Sequence, residues 1–532
     1  MTNAILREKP DAGNPHVRFD EGEVASAKPR RGSLLYKSMC AKFVWGVALA
    51  FGVVLPSCAF DVAWNCRPLS VHPARVSAFP MNRVWTGHQR PVEQTVVSGF
   101  VSFDLASVGE LVIRPDDRER MGDPVVLPLS WKPQMRWADG VLRLKVDSPR
   151  QFVVSFGRDA PVLHVFANPP YEPPRGAKVR TFGPGEHDVG TLCPQSGETV
   201  VIEDGAVVHG TILIAHADGV RITGRGIVDA SMVDRTTDDS AQNRAGLAAG
   251  LAPAAFGEEY ACSAFVCAWS TNVTVEGVVF RDSPMWTMNV RSSQSVTVDN
   301  VKVFGWRYNS DGFSASTSED VTIRNSFIRS FDDCLVPHGC GTDPTEGEAP
   351  LRNFLAENCV LWCDWGICLR VCALHRPALL ENVRFRDIAV VQTDGGSICD
   401  VTTFYGSSNT CFRGISFENI EVDFARPSWK GCIQKTTEDT TFPRVRSIAR
   451  ELFRVNVSCY GRYLGNQKFE PADDLTGFRV RYEDIAFRNF RVLGDVPSLS
   501  ARVDDSSAPY ELTGLVIEGM PPSLGDEGVR VP

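Results

Sequence analysis

Val273-Thr-Val-Glu-Gly-Val-Val-Phe280, Val296-Thr-Val-Asp-Asn-Val-Lys-Val303 and Val321-Thr-Ile-Arg-Asn-Ser-Phe-Ile328 begin 23 and 25 residues apart. The pattern returns in Phe354-Leu-Ala-Glu-Asn-Cys-Val-Leu361, Val383-Arg-Phe-Arg-Asp-Ile-Ala-Val390 and Ile415-Ser-Phe-Glu-Asn-Ile-Glu-Val422, at steps of 33, 29 and 32. Ile485-Ala-Phe-Arg-Asn-Phe-Arg-Val492 is a late copy and Arg221-Ile-Thr-Gly-Arg-Gly-Ile-Val228 an early one. In each copy apolar and polar residues alternate with period 2, and Asn, Asp or Gly breaks the run where a turn needs left-handed backbone. A repeat of this length, with two or three short strands per unit, predicts a parallel β-helix of about ten coils between Val200 and Ile517. The Leu-x-x-Leu-x-Leu pattern of leucine-rich repeats is missing, and β-propeller blades need longer periods. Extra length between coils, at Asp234–Tyr260 and Gly339–Pro350, predicts loops that wall a groove.

Outward from the repeat the texture changes. Between Asp61 and Asn168 short alternating segments such as Thr95–Phe103, Glu110–Ile113, Val141–Val146 and Gln151–Phe156 are separated by turn residues. They predict a small antiparallel β-sandwich over 61–168. Pro169, Pro170, Pro173 and Pro174 stiffen a linker over 169–176, and the β-helix is expected over 177–520. At 532 residues the chain is too long for one ordinary core. A net charge of −9, with no basic run in the body, excludes nucleic acid and anionic membrane surfaces as expected partners.

The first 58 residues read as an extension and export signal. Residues 1–36 are polar and irregular, and Lys42 precedes a 13-residue apolar run from Phe43 to Leu55. That run is too short to span a bilayer and suits a signal-peptide core. Leu55-Pro56-Ser57-Cys58 fits either a lipoprotein box, with a lipid anchor at Cys58, or plain cleavage; Met39 is a candidate start. The chain is expected to be exported and monomeric. Of the 16 cysteines, fourteen remain after Cys40 and Cys58 are removed. Pairing is the default for an exported chain. The set Cys359, Cys363, Cys368, Cys372 lacks the two-residue spacers of zinc knuckles and a completing His pair. It reads as disulfides or apolar core cysteines, and no metal or cofactor is expected.

The chemistry gathers at Asn309-Ser310-Asp311-Gly312-Phe313 and Phe331-Asp332-Asp333-Cys334-Leu335. Asp333 follows Asp311 by 22 residues, about one coil, so Asp311, Asp332 and Asp333 are expected to converge on adjacent rungs at an exposed spot. Neighbours on a strand face opposite ways, so the chain must leave strand geometry at Asp332-Asp333. Clustered carboxylates push one another's pKa apart, which acid/base glycoside hydrolysis exploits. Singly, each aspartate reads equally as a turn residue or calcium ligand. Asp364, one coil later, extends the acidic row or caps a turn.

Asn309-Ser310-Asp311 followed by Asp332-Asp333 resembles the Asn-Thr-Asp and Asp-Asp motifs of glycoside hydrolase family 28, the polygalacturonase-like right-handed β-helix enzymes. Ser283-Pro284-Met285-Trp286-Thr287 resembles the coil before the first motif in exo-acting members. The sandwich, the linker and Phe182-Gly183-Pro184-Gly185-Glu186-His187 look like family 49, the dextranase relatives. The resemblance implies inverting hydrolysis, with Asp332 as general acid and Asp311 and Asp333 activating water. It also implies a polysaccharide or oligosaccharide substrate held near Asn309. The family's Gly-His-Gly has no match; His338-Gly339 comes early and is expected in a loop, with His338 a spatial substitute. The family's Arg-Ile-Lys falls on Cys368-Leu369-Arg370, where only Arg370 is basic, so a neutral sugar or another uronide is open. Trp306 and Trp365 are the favoured stacking platforms, with Tyr308 and Trp362 beside them. A polysaccharide lyase and a non-catalytic glycan-binding β-helix are the rival readings.

Overall fold

The computed structural model describes residues 60–78, 92–117, 121–157, 161–233, 263–340, 349–374, 378–393, 397–404, 409–425, 450–457, 461–465, 468–471, 479–495, 499–503, 510–524 and 529–530. The export signal, the anchor at Cys58 and nearly all of the two groove loops lie outside them.

The repeat builds a 28-stranded sheet among the described residues, in which each strand pairs in parallel with its counterpart one coil on. This is a right-handed parallel β-helix. One ladder runs through Val179–Phe182, Thr199–Ile202, Arg221–Gly224, Thr271–Glu276, Gln294–Asp299, Glu319–Arg324, Ala349–Glu357, Ala378–Thr393, Thr410–Phe424, Val480–Gly494 and Tyr510–Thr513, eleven rungs. Alternation sends one side of each strand inward: Val273, Val275, Val296, Val298, Val321 and Ile323 are fully buried in one continuous core. Phe385, Phe417 and Phe487 stack there at centroid separations of 5.0 and 5.1 Å.

Register makes the turn chemistry visible. Gly277, Asn300, Asn325, Asn358, Asp387 and Asn419 occupy equivalent register positions on successive coils. All have positive φ, between 49° and 80°. Asn and Asp tolerate the left-handed region because their short side chains bond locally. Asn358 donates to Asn325 at 2.7 Å, and Asn325 to Asp299 at 2.8 Å.

The N-terminal strands form two five-stranded sheets. Their pairings are antiparallel except one: Val162–Asn168 runs parallel to Thr95–Asp104. Phe100, Val153 and Phe166 of the second sheet pack on Val279, Phe304, Phe327 and Trp362 of the β-helix wall. Polar anchors cross the same interface. Arg281 pairs with Asp229 at 2.6 Å and donates to the Pro73 carbonyl at 2.8 Å. The Lys302 ammonium donates to Asn168 at 2.5 Å.

Ten of the described cysteines, Cys66 and Cys193 at the surface and eight in the interior, are not in disulfides, contrary to the expected pairing. The expected four-cysteine set also divides. Cys363 and Cys368 meet Cys334, their Sγ atoms within 4.8 Å of one another inside the core, while Cys359 and Cys372 are not in the group. The reason is coil geometry: Leu335 pairs with Leu369, which sets Cys334 level with Cys368 on adjacent coils, and Cys363 joins them across the corner before Leu369–Leu374.

Candidate active site

The short wall strands Lys302–Phe304, Phe327–Ser330 and Val360–Cys363 end where the chain must turn into the next face of the coil. The next strands are Phe313–Ser316, Leu335–Cys340 and Leu369–Leu374. The aspartates lie in these junctions, off strand geometry. Phe313 pairs with Leu335, which carries Asp311 level with Asp333. Backbone bonds extend the match: Gly312 donates to the Asp333 carbonyl at 2.8 Å and Phe313 to the Cys334 carbonyl at 2.9 Å. Adjacent rungs of a sheet lie about 4.8 Å apart. The trio is thus side by side.

Two glycines permit this crowding. A Cβ on Gly312 would stand 2.5 Å from the Cys334 carbonyl oxygen. One on Gly366 would stand 2.4 Å from the Asp332 carbonyl carbon and from the Asp333 nitrogen.

The carboxylates are more recessed than an exposed spot implies. Asp311, Asp332 and Asp333 retain 6%, 3% and 5% of their surface. Asp333 nevertheless belongs to the outer side of the wall. In Leu369–Leu374, Leu369, Val371 and Ala373 join the core, so Arg370 points outward. Asp333 reaches that outward guanidinium: its Oδ2 accepts from Arg370 Nη1 at 2.7 Å and its Oδ1 from the Ile367 N–H at 2.6 Å. Arg370 also lies 3.7 Å from Asp400, which Arg454 grips with bonds of 3.0 and 2.8 Å. Burial opposes the Arg370 charge, but Asp333 and Asp400 outweigh it and hold its pKa above the ordinary value.

Beside this string lies a polar floor. Asn289 pairs with Ser314, and Ser316 with His338. Their side chains are at most 1% exposed, yet all the side-chain donors and acceptors of these four lack hydrogen-bond partners. Buried polar groups are normally satisfied, so each such group calls for an explanation. His338 sits in a strand, not a loop, with its ring edge-on to Trp286 at 5.2 Å. Burial first, then Arg291 and Arg370, push its pKa down to about 3, so the imidazole is neutral.

The aromatic expectations divide. Trp306 is 1% exposed and its indole donates to Asp282, so it cannot offer a face to a sugar. Trp362 packs against the sandwich with Arg329 4.1 Å over its ring, and Tyr308 is 5% exposed. Trp365 keeps partial exposure and lies parallel to Phe331 at 6.2 Å. Asn309, with φ 55°, is also partly exposed. Asp364 does not extend the acidic row. It accepts from the Trp362 indole at 2.8 Å and meets Arg329 at 3.4 Å, under the sandwich.

Sequence reasoning missed Asp400, Arg454, Asn289, Ser314 and Ser316. A signal existed: aligning Leu369-Arg370-Val371 with Cys399-Asp400-Val401 and Phe453-Arg454-Val455 by their core residues brings the charged three into one column. As for a metal, Cys334, Cys363 and Cys368 form a soft-ion donor set. It is sealed in the apolar core, where burial raises the Cys334 and Cys363 thiols well above their usual range.

Residues 215–428, which contain all three aspartates, match the family model described as Glycosyl hydrolases family 28. The probable exopolygalacturonase B of Aspergillus fumigatus is 25% identical over 170 residues, 30% of this chain and 35% of that protein. The exopolygalacturonase of Cochliobolus carbonum is 23% identical over 228 residues, 41% and 44% of the two chains. The chain thus spans less than half the length of these curated relatives. Dex49A from Penicillium minioluteum has the same fold, with a TM-score of 0.53 at 14% identity over 90% of both chains.

Proposed function

We propose that this protein is an inverting glycoside hydrolase that cleaves O-glycosidic bonds of a polysaccharide or oligosaccharide. The observation that carries the reading is the register that sets the Asp311 junction beside the Asp332-Asp333 junction on adjacent coils, next to a floor of unsatisfied neutral polar groups. Asp332 is assigned the general acid, which protonates the leaving oxygen. Asp311 and Asp333 are assigned the water that attacks from the opposite face. Inversion needs acid and base roughly 6.5–9.5 Å apart so that water fits between base and sugar. Carboxylates splayed from neighbouring rungs suit that span. Asp333 can still accept from water: a carboxylate has about four lone-pair sites, and the bonds from Ile367 and Arg370 use two of them.

The sugar is read by the floor. Asn289, Ser314, Ser316 and neutral His338 offer donors and acceptors to hydroxyls, and Trp365 flanks the entry. Arg370 pairs with Asp333 through Nη1 and lies 3.7 Å from Asp400, and it is the basic residue retained at the family's uronate-binding position. The substrate reading covers a uronide polymer as well as a neutral glycan. An exported, monomeric protein needing no cofactor completes the reading.

A reducing-end screen across pectic, dextran-type and other glycans tests it, with wild type beside Asp332→Asn and Asp311→Asn. Release by wild type that falls by orders of magnitude in both variants supports the assignment. A product absorbing in the ultraviolet and lost on chelation would make the protein a lyase instead. No release from any glycan, with binding unchanged in Asp332→Asn, would make it a binding protein.

A further inference from the structure

A cleft of about 560 Å³ opens between the sandwich and the β-helix, at the far end of the wall strands from the aspartates. Those strands are three or four residues long, and further residues lie beyond each end, so the two places are more than ~10 Å apart along the chain direction. One wall is Trp131, whose ring meets Phe152 edge-on at 4.8 Å and carries the Arg150 guanidinium 4.2 Å above it. The other wall is the turn ladder Asn300, Asn325 and Asn358.

The β-helix positions the indole. The N–H groups of the two residues before Trp131 donate to it: Leu129 to Asp423 at 2.7 Å and Ser130 to Glu421 at 3.0 Å. The cleft is built before anything enters it.

Its buried polar groups state what fits. Lys302 donates to Asn300 Oδ1 at 3.0 Å and Gln151 Nε2 to the same oxygen at 3.1 Å, which fixes both amides. Gln151 Nε2 also donates to the Asn325 carbonyl. Left over are Gln151 Oε1, an acceptor, and Asn300 Nδ2, a donor, both buried and unpartnered, together with Arg150 Nε. Gln151 and Asn300 are 9% and 6% exposed. A bare cation would satisfy the acceptor and be repelled by the donors, and an anion the reverse. A hydroxyl both donates and accepts. The charges agree. Of the lining carboxylates, Glu276, Asp299 and Glu421 are paired with Arg221, Arg324 and Arg491. Arg150 is paired with Asp147, so Asp387 is the remaining lining charge and the cleft has no positive field to draw in a polyanion.

We propose that this cleft is a second carbohydrate-binding site, which takes a neutral oligosaccharide between the Trp131–Arg150 wall and the turn ladder, with its hydroxyls on Gln151, Asn300 and Arg150. Nothing in it requires the aspartate site to be catalytic.

The test is calorimetric titration of full-length Asp332→Asn protein with oligosaccharides from dextran, galactan and arabinan, and with oligogalacturonate. Trp131→Ala and Ala389→Trp are each added to that background. Ala389 is a partly exposed residue of the opposite wall, and the larger side chain fills the space. At least one neutral oligosaccharide is expected to bind, at least tenfold more weakly in both added variants, while oligogalacturonate shows no component sensitive to them. Should Trp131→Ala unfold the sandwich, Ala389→Trp decides. Unchanged affinity in Ala389→Trp, no neutral oligosaccharide bound, or a cleft-sensitive component for oligogalacturonate alone overturns the proposal.

Discussion

Replacing Arg370 by Met should cost stability mainly because of what it leaves behind. The guanidinium sits between Asp333, at 2.7 Å, and Asp400, at 3.7 Å, and all three are buried. Removing one partner of a buried pair typically costs 3–5 kcal/mol, mostly through the charge left uncompensated. Asp400 keeps both bonds from Arg454, and Asp333 keeps the Ile367 N–H at 2.6 Å. The loss should therefore fall at the low end, about 3 kcal/mol. Turnover should drop further than stability suggests, since a displacement of about 1 Å in a reacting group can cost 10²-fold. Urea unfolding of wild type, Arg370→Met, Asp333→Asn and the double variant closes a cycle. If the stranded charge is the cause, the double variant will be at least as stable as Arg370→Met, with a coupling of about 1.5 kcal/mol or more. Additive losses would mean that Arg370 and Asp333 do not share their burial cost, and the charge string would have no role in holding the site.

Three further outcomes follow from the same geometry. Asp332→Asn should lower turnover by 10²–10⁴-fold, the usual worth of a general acid, while the melting temperature stays close to wild type; a collapse of stability would make the residue structural. Gly366→Ala should abolish activity and destabilise the fold, because its Cβ would stand 2.4 Å from two backbone atoms of the Asp332-Asp333 link, and wild-type kinetics would refute the crowding. Asp423, under the sandwich, has its pKa raised from 3.8 to about 7, first by burial and then by Glu421, against the Leu129 bond. A raised folded pKa means a contribution complete below pH 3.8 and lost as pH climbs through 7, up to about 4 kcal/mol. Asp423→Asn should thus gain on wild type steadily between pH 4 and pH 8 in thermal melts, and parallel pH profiles would contradict the shift.

The β-helix was legible because its rule is local. Val-Thr-Val-Glu-Gly and Val-Thr-Val-Asp-Asn announce both the inward face and the left-handed turn, and Gly277 and Asn300 occupy those turns with φ of 80° and 53°. The 22-residue step from Asp311 to Asp333 is likewise the register of the ladder. What failed was exposure. Nothing in Trp306 distinguishes a sugar platform from an indole that closes on Asp282, because the difference depends on how the sandwich and the preceding coil cover it. The two readings of Asp364 turn on the same thing: the sandwich places Arg329 and Trp362 over it, away from the acidic row. His338 looked like a loop residue because Gly339 follows it, yet pairing with Ser316 and Cys372 keeps it in the sheet. Asp400 and Arg454 carry no motif and become visible only once the coils are aligned by their cores.

The whole account rests on a water entering between a sugar and the Asp311–Asp333 pair while Asp332 protonates the departing oxygen. Proton NMR of the first product formed from whichever glycan the screen selects reports this directly, through the anomeric signal before mutarotation. A product of inverted configuration, absent with Asp332→Asn, is what the account predicts; a retained configuration would contradict it.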